Sequence, residues 1–173
     1  MPATAKPKST DPADRMGVYK SIGDVPERRR LSQHAAAYDG RDVWSEYLHE
    51  HLFDRVTGER GRKDARRVGD RWQAHMDDCG RHHALATPDD VEAWSASLLD
   101  ELTLRTAYNY WSSVERFYRW MQWHAEFPHL YNPFLMAAAV SGSATRKLWD
   151  KKMQRGRSGG ADGTDETGGD GNE

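Results

Sequence analysis

The chain has 173 residues, of which 37% are hydrophobic and 30% charged, with a formal net charge of −2 and a mean hydropathy of −0.93. That length holds one domain plus tails, and the polarity suggests a small folded centre with disordered flanks rather than a compact enzyme. The longest apolar runs, such as LMAAAV, are too short to cross a bilayer, MPATAKPKSTDPADR lacks the apolar stretch of a signal peptide, and the single Cys79 forms no intrachain disulfide, so the expected location is cytoplasmic.

Charge is unevenly spread. The last sixteen residues, SGGADGTDETGGDGNE, hold five acids (Asp162, Asp165, Glu166, Asp170 and Glu173) and no base, which leaves the rest mildly basic. That balance is compatible with nucleic-acid binding but does not require it. The expected organisation is a flexible N-terminal arm at 1–40, a helical domain at 41–140, a basic segment at 141–157 and an acidic Gly-rich tail at 158–173.

Taken in order, residues 1–26 contain four prolines and few large apolar side chains, as an arm would. ERRRLSQHAAAY (27–38) reads as a short helix with a basic start. In DVWSEYLHEHLFDRV (42–56), Val43, Tyr47, Leu48 and Leu52 fall near one helical face. TGERGR then reads as a loop, because Gly58 and Gly61 break the pattern. A second helix over 63–79 places Ala65, Val68, Trp72, Met76 and Cys79 on one side, with Lys63, Arg66, Arg67 and Arg71 off that seam. Gly80 is positioned to end it.

ATPDDVEAWSASLLDEL follows, with Thr87 as N-cap, Pro88 at the first helical position and Asp89 and Asp90 at the positive end of the dipole. TLRTAYNYWSSVERFYRWMQWH (103–124) comes next. Thr103 caps this helix, and Leu104, Ala107 or Tyr108, Trp111, Val114, Phe117 or Tyr118, and Met121 form its seam. Its other side carries Arg105, Asn109, Ser112, Ser113, Arg116 and Arg119, with Trp120 and Trp123 near the end. PHLYNPF stops it, and FLMAAAV suits a short segment folding back. ATRKLWDKKMQRGR (144–157) holds six bases against one acid. No strand-like alternation occurs, so the fold class is all-α: a small bundle of four to five helices between disordered tails.

Few residues suggest chemistry. CGRHH puts Cys79 near His82 and His83, but nothing completes a tetrahedral metal set, and solvated loop histidines are the plainer reading. His49 and His51 are two apart and diverge on a helix. Asp89–Asp90 is explained by capping, and Asp77–Asp78 lies at an exposed helix end. There is no phosphate-binding Gly-rich loop and no GxSxG. The expectation is no enzyme, no cofactor, no metal and no small-molecule substrate. The basic faces remain: arginine and lysine neutralise phosphates, and Thr or Asn at a helix start bonds phosphate oxygens.

The sequence of signals from 42 to 134 resembles the N-terminal core-binding domain of tyrosine recombinases, the phage-integrase family with a SAM-like fold. Trp44 and Tyr47-Leu48 stand where that domain has an aromatic and a YL-type pair. Trp72 and Gly80 match its basic helix. TPDDVEAW (87–94) fits T-x-x-D-V-x-x-[WY], LTLRTAYNYWSSVERFYRW (102–120) fits the next helix, and Asn132-Pro133 stands at the closing NP. The resemblance covers about 90 of the residues and rests on the order of five motifs, none specific alone. The start of the basic helix departs from it: Gly61, Arg62 and Lys63 stand where the family often has Ser or Thr.

What the resemblance implies is double-stranded DNA as partner. Thr103, Arg105, Thr106, Asn109 and Arg116 are the first contact candidates, and Lys63, Arg66, Arg67 and Arg71 the next. The family's catalytic domain supplies a tyrosine nucleophile, whereas the residues after Pro133 contain no tyrosine. The expectation is thus a non-catalytic DNA-binding protein accessory to DNA integration or recombination of a mobile element. The alternatives are a helical protein–protein module that partners a tyrosine recombinase through Trp120 and Trp123, or one half of a split recombinase whose catalytic domain is another chain.

Overall fold

A computed structural model describes residues 8–56 and 58–158. Among the described residues all regular structure is helical: α1 (Ala35–Tyr38), α2 (Val43–Tyr47), α3 (Glu59–Asp78), α4 (Pro88–Glu101), α5 (Leu104–Trp123), α6 (Pro133–Ala138) and α7 (Ala144–Ser158). Four short 3-10 turns between Pro12 and His34 precede α1, and a π-helical turn at Leu48–Leu52 continues α2.

The helix ends follow local chemistry. Thr87 and Asp90 form a reciprocal capping box: the Asp90 amide donates to Thr87 Oγ1 (3.2 Å) and the Thr87 amide to Asp90 Oδ2 (2.9 Å). Arg81 forks onto the same carboxylate at 2.6 Å through two nitrogens. Thr103 Oγ1 accepts from the Thr106 amide (3.4 Å) to open α5, and Asn132 Oδ1 accepts from the Phe134 amide (2.9 Å) to open α6. Gly80, at φ 72°, closes α3, with Arg81 N–H donating to the Met76 carbonyl and Gly80 N–H to that of Asp77. That pair of bonds is a Schellman closure. α3 begins at Glu59, a turn before the expected 63, and so takes in Gly61. A Cβ on Gly61 would meet Val56 Cγ1 at 2.5 Å, so the glycine there allows close packing rather than a loop.

Phe134 of α6 is the hub of the core. Its ring meets Trp72 of α3 (5.5 Å), Trp94 of α4 (6.4 Å), and Trp111 (5.9 Å) and Tyr118 (5.2 Å) of α5. Burying each such ring stabilises the fold by about 1.5–3 kcal/mol. The α5 seam is buried from Ala107 to Met121, but Leu104 at its start is 45% exposed, beyond the edge of the core.

The loop from α3 to α4 is stitched down by its carbonyls. Trp72 Nε1–H (2.8 Å) and the Tyr118 hydroxyl (2.9 Å) both donate to the His83 carbonyl, and the Ala86 amide donates to Tyr118 Oη (2.9 Å). His83 and His129 are buried, not solvated: the Trp44 amide donates to His83 Nε2 (3.1 Å), and His129 Nε2 lies 2.7 Å from the Ala84 carbonyl.

Two boundaries differ from expectation. Residues 8–40, expected as a flexible arm, fold against the bundle, because Val25, Leu31 and Tyr38 supply apolar surface that joins the core. The Tyr131 hydroxyl accepts from the Leu31 amide (2.8 Å). The basic segment expected apart at 141–157 is α7, which packs on α4, α5 and α6 through buried Leu148 and Trp149. Its start is capped from α4: the amides of Ala144 (2.7 Å) and Thr145 (3.1 Å) donate to the Glu92 carboxylate. Residues 1–7 of the expected arm, and the acidic tail beyond Ser158, lie outside the described residues.

Candidate nucleic-acid interface

On α3, Lys63, Arg67 and Arg71 are spaced four apart and share one stripe, with Arg66 beside it. Lys63 is exposed and has no ion-pair or hydrogen-bond partner among the described residues. Arg66 is exposed and lies over the Phe53 ring at 5.2 Å, with Arg62 on the same ring at 4.9 Å. Arg67 makes only a long exposed pair with Asp64 (3.5 Å), which holds it weakly. Arg71 differs: half-buried, it is paired with Glu101 at the end of α4 and lies 5.3 Å over the Tyr110 ring of α5. It fastens three helices together.

Through Arg71 and Tyr110 the stripe leads to the start of α5. Arg105 is exposed there and has no partner among the described residues. Thr103 Oγ1 serves as the helix cap and also donates to Thr106 Oγ1 (3.1 Å), so both threonines lie at the helix's positive end. Asn109 is exposed, and its carbonyl accepts from the hydroxyls of Ser112 (3.3 Å) and Ser113 (2.9 Å). Arg116, two turns on, donates to Ser112 Oγ at 3.3 Å.

Arg155, absent from the sequence-based candidates, completes the surface. From the end of α7 it donates to Asn109 Oδ1 at 3.5 Å and covers the Tyr108 ring at 5.2 Å. The signal for it lay in Thr145, Leu148, Trp149 and Met153, whose spacing marks an amphipathic helix that must pack on the domain. The structure therefore brings together Arg71 of α3, Thr103, Arg105, Thr106 and Asn109 of α5, and Arg155 of α7, while Arg67 and Lys63 continue the α3 stripe one and two turns before Arg71, towards the Phe53 end of the helix. Arg116 extends the α5 stripe towards the helix's other end.

A second basic cluster surrounds Glu115. This residue is 1% exposed, and both its oxygens accept from Arg119 Nη2 at 2.6 Å, with Lys152 Nζ at 3.7 Å. Burial pulls the Lys152 ammonium below its usual pKa; Glu115 opposes that shift, while Arg119, Arg15 and Arg116 add to it. Positive charge is thus in excess here.

Among the described residues no group of three metal-ligating side chains comes together, and no helix is long and apolar enough to cross a membrane. No family model matches the chain, and no curated protein or solved structure matches it.

Proposed function

We propose that this chain binds double-stranded DNA, without cutting it, through the surface formed by α3, the start of α5 and the end of α7. The observation that carries the reading is the contrast between its cations. Arg71 is tied to Glu101, whereas Lys63 and Arg105 stand exposed with no carboxylate partner among the described residues. An unpaired exposed cation gives up little when it meets a phosphate, and counter-ions released from the duplex drive the association. With Thr103 holding the cap, the Thr106 hydroxyl and the first-turn amides of Leu104 and Arg105 offer donors to one phosphate and set register, with limited reading of bases.

The motif order that resembles the core-binding domain of tyrosine recombinases supports the same reading, and with it a role accessory to DNA integration or recombination. Titrating a short labelled duplex with wild type and with Lys63→Glu/Arg105→Glu tests it. The double variant should bind at least about ten-fold more weakly at moderate salt, since two phosphate contacts become repulsions. Unchanged affinity would remove the proposal.

One observation favours a second reading, an interaction module: Trp123 is 86% exposed at the far end of α5. Trp120, its expected companion, is half-buried against Tyr47 and Phe127.

A further inference from the structure

The last turns of α5, the loop before α6 and the middle of α7 enclose an open cleft of about 590 Å³. It lies some 20 Å along α5 from Arg105, at about 1.5 Å per residue, and adjoins the DNA surface only where Lys152 stands one turn from Arg155 on α7. Its floor is Trp149, buried, with the Arg15 guanidinium 5.5 Å and the Lys152 ammonium 5.1 Å from the ring.

Three cations line the cleft, Arg15, Arg119 and Lys152, against one carboxylate, Glu115. Arg119 engages both oxygens of Glu115, and Lys152 stands farther off. Among the described residues the Arg15 guanidinium donates only to the Ser9 carbonyl (3.2 and 3.0 Å). Two positive charges are therefore left uncompensated in a partly desolvated recess. The rim is apolar: Trp123 is 86% exposed and Leu130 55%.

An occupant must bring both negative charge and apolar surface. A metabolite would leave the wide rim in water, which favours a chain segment lying across the opening. A nucleic-acid backbone is a poorer fit, because Arg119 and Lys152 are anchored on a buried carboxylate below the rim instead of forming an outward stripe. The chain's own acidic tail, SGGADGTDETGGDGNE, has the charge but no large apolar side chain.

We propose that this cleft docks an acidic peptide segment of a partner protein that carries a large apolar side chain. Its carboxylates meet Arg15 and Lys152, and its apolar side chain covers Trp123 and Leu130. Aromatic anchors ringed by arginine are the usual centres of binding energy at such surfaces.

The test is anisotropy of fluorescein-labelled peptides against the full chain. One peptide mixes Glu with Leu and Phe, a second replaces each Glu by Gln, and a third has the sequence of the acidic tail. The first should bind, and should lose about ten-fold in affinity with Trp123→Ala and with Arg15→Gln. Both side chains are exposed, and circular dichroism checks that each variant folds. Lys63→Glu/Arg105→Glu should leave this binding intact, which separates it from the DNA reading. Absence of binding, equal binding of the Gln peptide, or insensitivity to both cleft variants overturns the proposal. So does equal binding of the tail peptide, which would make the tail the occupant, or displacement by a short duplex, which would make the cleft a phosphate site.

Discussion

The indole of Trp44 occupies the space where Gly69 would carry a side chain: a Cβ on Gly69 would overlap the Trp44 Nε1 atom. This contact lets the Trp44 indole of α2 lie directly on the α3 backbone. Both residues are buried, and Trp44 also meets Phe117 of α5 at 5.1 Å, so the ring has nowhere to retreat. Gly69→Ala should destabilise the protein by about 1–3 kcal/mol, the cost of overpacking a filled core, despite alanine's better helix propensity. Denaturant unfolding checks this; a stabilised variant would show that propensity dominates.

Glu92→Ala should loosen α7. The Glu92 carboxylate accepts from the Ala144 and Thr145 amides, and Thr145 Oγ1 lies 2.8 Å from it and 2.9 Å from Ser95 Oγ. Removing the carboxylate leaves two buried or half-buried amides without partners, at a cost of about 1–3 kcal/mol. Hydrogen exchange should rise in the first turn of α7 before it rises in α5.

Stability should fall on mild acidification. Burial pushes both His83 and His129 down to about 4; His82 adds to the first shift and Asp42 opposes it, while for the second the Ala84 carbonyl opposes burial and His34 assists it. The unfolded chain takes up these protons near pH 6.5 and the folded one only near 4, so stability is lost progressively as pH falls between those values. Each histidine should account for about 1.5 kcal/mol between pH 6.5 and 5. Urea midpoints across that range check it, and His129→Gln should flatten the slope.

A second acid step involves Asp90. Burial alone would raise its carboxyl, but the Arg81 fork and the Thr87 amide and hydroxyl outweigh it, and the net shift is downward. A depressed carboxyl contributes stability that is full above its ordinary value of 3.8 and disappears as pH falls through the lower folded value. Asp90→Asn should lower stability at neutral pH by about 1–3 kcal/mol and remove this step from the acid-unfolding curve.

Much of the helical framework was legible because its signals are local. Thr87, Thr103 and Gly80 act within four residues, and the α5 seam repeats often enough to identify its buried face. Nothing local distinguishes Leu104 from the rest of that seam; it is exposed because the core ends beneath it. Val25, Leu31 and Tyr38 lie too far apart to show periodicity, so polarity alone suggested a flexible arm there. Leu148 and Trp149 were masked by six surrounding bases. His83 and His129 are buried through bonds to residues far along the chain, which no spacing reveals. At the candidate site the exposure of Lys63 and Arg105 agrees with the pattern, whereas the pairing of Arg71 with Glu101 and the arrival of Arg155 beside Asn109 depend on packing.

The measurement that tests the central claim most directly is the salt dependence of binding to a short labelled duplex. Contact with phosphates through α3, α5 and α7 predicts that log K falls linearly with log salt, at about −0.9 per phosphate neutralised. Lys63→Gln and Arg105→Gln should each reduce that slope by about one contact while leaving the melting temperature unchanged. Absence of binding at low salt, or a slope that neither substitution alters, would contradict the account and return these cations to ordinary solvated surface.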